Sequence, residues 1–332
     1  MDTKSNPGSA SKPGADSKLS FKQRLRDPYF WSDWLVVVAF LLVIVVFGAI
    51  NPSAFLSIYN LNNILVASAI PAIIVVGQTF TVATAGIDLS VSSILTLGAV
   101  IFGICFTKEL PVWVCMLGGM LAGMIAGIIN GLIISVRKIN DFIVTLGMLS
   151  IAAGTALVLS NGRPVQIINS GLANVAINEK FGVPYLMYIA FAIVVFSHFL
   201  LFHTRFGVHL LAVGGDPDSA RAMGVSIVRI KVAVYGISGL LAGFAATLAI
   251  ARIGAAEPAA NTAILLNSVA AVVLGGVSLF GGRATIFGPF VATLLLQALS
   301  NGLTIIGVAS YYQYISVGIV VILSASLVRN VR

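Results

Sequence analysis

The sequence predicts an all-α integral membrane protein, a single polytopic domain of about ten transmembrane helices, and three observations predict it. First, 58% of the 332 residues are apolar and only 9% are charged, against about 45–50% and about 25% in soluble domains. Second, the mean hydropathy is +1.04, and apolar runs able to cross about 30 Å of hydrocarbon recur throughout. Third, the basic residues behind the net charge of +8 sit in short connections between those runs, where the positive-inside rule gives them meaning. They form no aromatic-interleaved basic face, which argues against a nucleic-acid partner.

Along the chain, residues 1–26 are rich in Ser, Gly, Pro and Lys and read as a disordered cytoplasmic tail before a membrane domain over 27–332. The run Trp34–Ile50 follows Lys22, Arg24 and Arg26; it is longer than a signal-peptide core and lacks an A-x-A site, so it reads as a retained first helix. The expected spans are 31–50, 63–84, 90–107, 111–136, 142–160, 184–203, 231–251, 263–279, 285–306 and 311–328. Within 63–107 a broken or re-entrant element is the alternative to two separate helices. Counting from a cytoplasmic amino terminus leaves Arg137, Lys138, the segment Arg205 to Lys231, Arg283, Arg329 and Arg332 inside. Lys108, Arg163, Lys180 and Arg252 fall outside, so both termini are expected in the cytoplasm.

Gly119, Gly123, Gly127 and Gly131 recur every fourth residue on one helix face. Without side chains there, a second backbone can approach closely and gain dispersion contacts, so a helix–helix seam is expected. The fourth span ends Asn130-Gly131-Leu132 and the ninth ends Asn301-Gly302-Leu303. These spans run in opposite directions in the expected topology, the arrangement of an inverted repeat.

Asp88, in Gly86-Ile87-Asp88-Leu89-Ser90, is a carboxylate between two apolar runs. Such a group at membrane depth is costly unless paired or solvated. Two compatible readings are open: a cap on the following helix, with Gly86 providing the turn, or direct contact with a substrate. Pro71, Gln78 and Thr81 share one face of the second span. A polar stripe beside a proline kink suits either a pathway lining or hydrogen bonding between helices.

Gly214-Gly215-Asp216-Pro217-Asp218-Ser219-Ala220-Arg221-Ala222-Met223-Gly224 reads as a short helix between loops. Asp216 is the expected N-cap, Pro217 the first helical residue and Gly224 the stop. Too short to cross a membrane, it suits docking of a soluble partner on the cytoplasmic face. His198, His203 and His209 read as interfacial residues and Cys105 and Cys115 as packing residues, with no metal-ligand spacing. No G-x-S-x-G and no G-x-x-x-x-G-K-[ST] occurs. The expectation is a chain that is not an enzyme and binds no cofactor itself.

Several stretches carry a resemblance: Ala85 to Val91, Phe142-Ile143-Val144-Thr145-Leu146-Gly147, Asn161-Gly162-Arg163-Pro164, Gly214 to Gly224, Ala270 to Gly276 and Phe280-Gly281-Gly282-Arg283. Together they resemble permease subunits of bacterial ribose/xylose/arabinose-type (simple sugar) ABC importers, in the same order and over nearly everything after residue 30. The resemblance implies a pathway for a sugar or related polyol, formed with a second permease subunit in a homodimer or heterodimer. It also implies a cytoplasmic ATPase that carries ATP and Mg, and a periplasmic binding protein. Asp216 to Gly224 would be the coupling helix that docks on the ATPase, flanked by Gly214 and Gly215. The loop from Asn161 through Arg163 and Pro164 to Pro184 would face the binding protein. Pro71, Gln78, Thr81, Asp88, Phe142 and Thr145 are the pathway candidates. Leu265-Leu266-Asn267 stands where many relatives carry Glu-Leu-Asp, and Gly154 where an Arg is common, which leaves the solute open. An ion-coupled secondary transporter using Asp88 and Glu257 is the alternative.

Overall fold

The computed structural model describes residues 28–329, so the expected tail and Arg332 lie outside the described residues. The helices are α1 (Pro28–Ile50), α2 (Pro52–Phe55), α3 (Ile58–Ala83), α4 (Val91–Thr107), α5 (Val112–Arg137), α6 (Asp141–Ser160) and α7 (Ser170–Ile177). They continue with α8 (Tyr185–Phe202), α9 (Arg205–Gly215), α10 (Pro217–Ala222), α11 (Ile227–Ile253), α12 (Thr262–Leu274), α13 (Phe287–Ile305) and α14 (Ser310–Arg329). Six of them, α3, α5, α6, α8, α11 and α13, are long and apolar enough to cross a membrane. The stretches 34–50, 91–107 and 262–274 are apolar but shorter.

Every expected apolar stretch has a helix over it, with ends moved by local chemistry. Helix α3 begins at Ile58 because the Ser57 hydroxyl accepts the Asn60 N–H at 3.2 Å. Residues 84–90 separate α3 from α4, so the 63–107 region is two helices around a break. The expected span 263–279 stops at Leu274. Gly276 there takes φ +83°, and the Gly275 backbone lies so close to Gly288–Pro289 that a Cβ would overlap the Pro289 nitrogen.

Helices α3 and α11 cross at the centre, with 78% and 72% of their apolar windows buried, while α6 is buried over only 22%. Helix α3 also contacts α12 and α13, and α11 also contacts α4 and α5. Helix α4 touches α5 and α6, α12 touches α13 and α14, and the pairs α5–α6 and α13–α14 also meet. Helix α1 lies on α13 and α8 on α3.

The glycine row of α5 lies against α11, the most extensive helix contact among the described residues. A Cβ on Gly123 would overlap the Gly239 carbonyl oxygen, and one on Gly127 the Tyr235 carbonyl oxygen. At Gly119 it would lie 2.8 Å from the Gly98 carbonyl oxygen, and at Gly131 2.6 Å from the Val232 Cα. The expected seam is there, and its second half is the Gly239–Gly243 step of α11.

Helix ends gather at two poles. At one, the Gly282 N–H donates to the Ala83 carbonyl at 3.1 Å, and Lys231 Nζ lies 3.0 Å from Asp141 Oδ2. At the other, β1 (Val165–Gln166) pairs antiparallel with β4 (Ala255–Ala256). Beside that pair, β2 (Glu179–Lys180) and β3 (Val183–Pro184) form a small hairpin that Asn62 holds by donating to Glu179 Oε2.

Candidate functional site

Four helices converge on the break between α3 and α4. Asp88 is fully buried there. Its Oδ1 accepts the Ser90 N–H at 3.0 Å and the Ser90 hydroxyl at 2.6 Å. Its Oδ2 accepts the Ser238 hydroxyl of α11 at 2.9 Å. From α3, Gln78 Nε2 donates to the Asp88 carbonyl at 2.5 Å. Asn130 of α5 donates to Ser90 Oγ at 2.9 Å, and Thr145 of α6 donates to the Ile87 carbonyl at 3.2 Å. The irregular backbone is tolerated in an apolar interior because Gln78 and Thr145 satisfy two of its carbonyls, while Ser238 and Asn130 pair with the Asp88 and Ser90 side chains.

Two expectations about this turn are corrected. Asp88 does not cap α4: the cap position is Ser90, and Asp88, two residues upstream, accepts the Ser90 N–H in an Asx turn. The left-handed residue is Ala85, at φ 56°, not Gly86. Gly86 is needed for space, since a Cβ would lie 2.6 Å from both Asp141 Oδ2 and the Tyr235 hydroxyl oxygen. Those two groups are themselves bonded, Tyr235 donating to Asp141 Oδ2 at 2.8 Å.

Gln78 and Thr81 are buried and Pro71 is half-buried. Thr81 donates to the Gln78 carbonyl one turn back on α3 at 2.8 Å, and Gln78 reaches the Asp88 carbonyl, so both are engaged in hydrogen bonds within the subunit. Thr145 is buried and Phe142 is exposed. Sequence reasoning missed Ser238, Asn130, Asp141, Lys231 and Tyr235. The signal available was a polar residue facing inward on an apolar helix and opposite charges at the starts of α6 and α11.

Helix α10 has the expected caps. Asp216 Oδ1 accepts the Asp218 and Ser219 N–H groups at 3.0 and 3.1 Å, Pro217 is the first helical residue, and Gly224 takes φ +84°. The Ser219 hydroxyl, donating to Asp216 Oδ2 at 2.5 Å, with the Ser219 N–H, holds the Asp216 carboxyl below its usual range. Asp216 also closes α9, donating its own N–H to the Ala212 carbonyl at 3.0 Å. Gly215, Asp216, Pro217, Ser219, Arg221, Ala222 and Gly224 are exposed. Ala220 is not: it is 1% exposed and packs in the main core. It therefore cannot belong to the expected docking face and instead anchors α10 to its own chain. An open groove beside α10 is lined by Asn140, Asp141, Pro217, Arg221 and Lys231, among others. At the opposite pole Asn161, Arg163 and Pro164 are exposed, Asn161 ending α6 in a left-handed conformation.

A bundle of apolar helices around a side-chain-braced break, with a short capped helix outside it, is the architecture of an all-α polytopic membrane protein. The chain belongs to the family described as branched-chain amino acid transport system / permease component, which matches residues 60–325. It is 37% identical over 313 residues to the ribose import permease protein of Escherichia coli K12, covering 91% of this chain and 96% of that one. It is 32% identical over 314 residues to the D-allose transport system permease protein of the same organism, covering 94% and 96%. It is also 32% identical over 289 residues to the L-arabinose ABC transporter permease protein of Azospirillum brasilense, covering 87% and 85%. No solved structure matches it. The family describes a permease component, so the chain is not an enzyme and ATP hydrolysis lies on a separate ATPase. The ion-coupled alternative is not favoured.

Proposed function

We propose that this chain forms the translocation pathway of an ATP-driven importer for a sugar or related polyol. The observation that carries the reading is α10: six residues, capped at both ends and exposed on its outer face, on a chain whose relatives are named for ribose, allose and arabinose transport. A self-sufficient symporter has no use for such a docking element. In this reading the exposed residues of α10 meet a cytoplasmic ATPase that holds ATP and Mg. The 161–184 loop receives a periplasmic binding protein, and a second permease subunit, identical or related, completes the pathway. Phe142 and the open face of α6 are the pathway candidates; Asp88, Gln78, Thr81 and Thr145 shape the break beside them, and Pro71 lies further along α3.

The chain then crosses a bacterial inner membrane ten times, with both termini cytoplasmic. Arg137, Lys138, Arg205, Arg221, Arg229, Lys231 and Arg283 fall on the pole of α10, as the positive-inside rule asks. An inverted repeat is part of the proposal. Exchanging α3 with α11, α4 with α12, α5 with α13 and α6 with α14 maps each principal contact among these helices onto another of the set. Helices α1 and α8 stand outside the exchange.

The test is uptake into vesicles holding the permease with its ATPase, presented with the binding protein and labelled pentoses, hexoses and polyols. ATP-dependent uptake of one such solute is expected. Uptake driven by an ion gradient with the ATPase omitted would overturn the reading.

A further inference from the structure

We propose that Gly214, Gly281 and Gly282 are positioning residues, a backbone-on-backbone joint through which movement of α10 reaches the turn carrying Asp88. Only Gly215 and Asp216 separate Gly214 from α10, and Asp216 closes α9 and caps α10 at once. A shift of α10 therefore moves Gly214 and Gly215 with no loop to absorb it. Gly214 is buried, and a Cβ there would overlap the Ala83 carbonyl oxygen and lie 2.8 Å from the Gly282 nitrogen. The same Ala83 carbonyl accepts the Gly282 N–H at 3.1 Å.

The third strand of the joint is equally bare. Gly281 and Gly282 take φ +79° and +74°, a conformation that glycine adopts at no steric cost. A Cβ on Gly281 would overlap the Gly214 carbonyl oxygen and lie 2.8 Å from the Ala85 nitrogen. At Gly282 it would lie 2.8 Å from the Gly215 Cα. Three backbones thus meet with only the Ala85 methyl beside them, and a methyl has no rotamer change with which to take up a displacement. Ala83 and Ala85 lead into the Asp88 turn, which Gln78, Ser238, Asn130 and Thr145 tie to four helices. Displacement of α10 is delivered to the centre of the bundle. Close-packed elements of this kind shift between discrete arrangements rather than deform.

The inference rests on the proposed docking role of α10, and its test separates the two. The assembled transporter, with ATPase and binding protein, is compared with its Gly214→Ala and Gly281→Ala variants for copurification, ATP hydrolysis and uptake. Expected is retained ATPase association and hydrolysis with uptake per ATP reduced by about tenfold, the size of a lost coupling free energy. Hydrolysis and uptake falling together with the ATPase still bound, or both unchanged, would overturn the joint. Failure of the unmodified permease to bind the ATPase would overturn the docking role instead.

A second measurement leaves the joint intact, in case these variants do not fold. With Cys105 and Cys115 replaced by Ala, spin labels are placed in pairs at Met223→Cys, Phe280→Cys and Phe181→Cys, all exposed positions. On ATP binding, the distances from Phe181 to Met223 and to Phe280 should change together while Met223 to Phe280 stays constant. A Met223 that moves while Phe280 does not would overturn the proposal.

Discussion

Helices α5 and α6 are equally apolar and joined only by Lys138, Ile139 and Asn140, yet their glycines meet opposite surroundings. On α5, Gly119 to Gly131 lie against the α11 backbone or the carbonyl of Gly98. On α6, nothing stands within 4 Å of the Cβ that Gly147 or Gly154 would carry, and Ile151 and Val158 nearby are 62% and 75% exposed. A glycine in a membrane helix therefore has two meanings. At a four-residue spacing it marks a seam already closed within the chain; isolated on a bare face, it leaves a surface that only lipid, a pathway or another subunit can cover.

The comparison breaks most readily at its closed half. Gly127→Leu drives a side chain into the Tyr235 carbonyl and should cost at least about 3 kcal/mol, since a seam without side chains has no room to repack. Thermal unfolding of the purified variant measures this, and an unchanged midpoint would show that the seam does not form. Asp141→Asn, at the foot of α6, should cost about 1–2 kcal/mol. It removes the Lys231 ion pair while an amide oxygen can still accept from Tyr235. Because the pair is partly exposed, the cost should shrink in high salt, and an unscreened loss of the same size would refute the ion-pair account. Thr145→Val should cost about 1 kcal/mol by cutting one tether from α6 to the break; hydrogen exchange over 84–90 should rise. The smallest effect belongs to Gly154→Ala, within about 0.5 kcal/mol for the isolated subunit. A large loss there would mean that the α6 face is covered within the chain.

What was legible in the sequence was local. The apolar runs, the Asp216 cap, Pro217 and the Gly224 stop each depend on neighbours a few residues away, and each appears where chain chemistry demands. Half of the seam was legible too, because four glycines in register have no other economical reading. The partner half was not: Gly239 and Gly243 give only one step of the motif. The Asp88 turn shows the limit most clearly. Its carboxylate announces itself in an apolar run, but Ser238 lies 150 residues away, and serines in membrane helices more often bond their own preceding turn, as Ser68 does to Ile64. Ala220 was misplaced for a related reason. In six residues no periodicity can be read, so the inward face of α10 could not be told from the outward one.

The two poles are also fastened by different chemistry. Beside α10, Lys231 and Asp141 hold α11 to α6 through charge. At the other pole, Asn60 and Asn301 exchange donors reciprocally, at 3.0 and 2.9 Å, and so clasp α3 to α13. Carboxamides neither titrate nor attract counterions, so this clasp is indifferent to acidity and ionic strength. If that pole faces the exterior, where a bacterium does not control its medium, the helices that receive the incoming solute keep their register in surroundings that would loosen an ion pair.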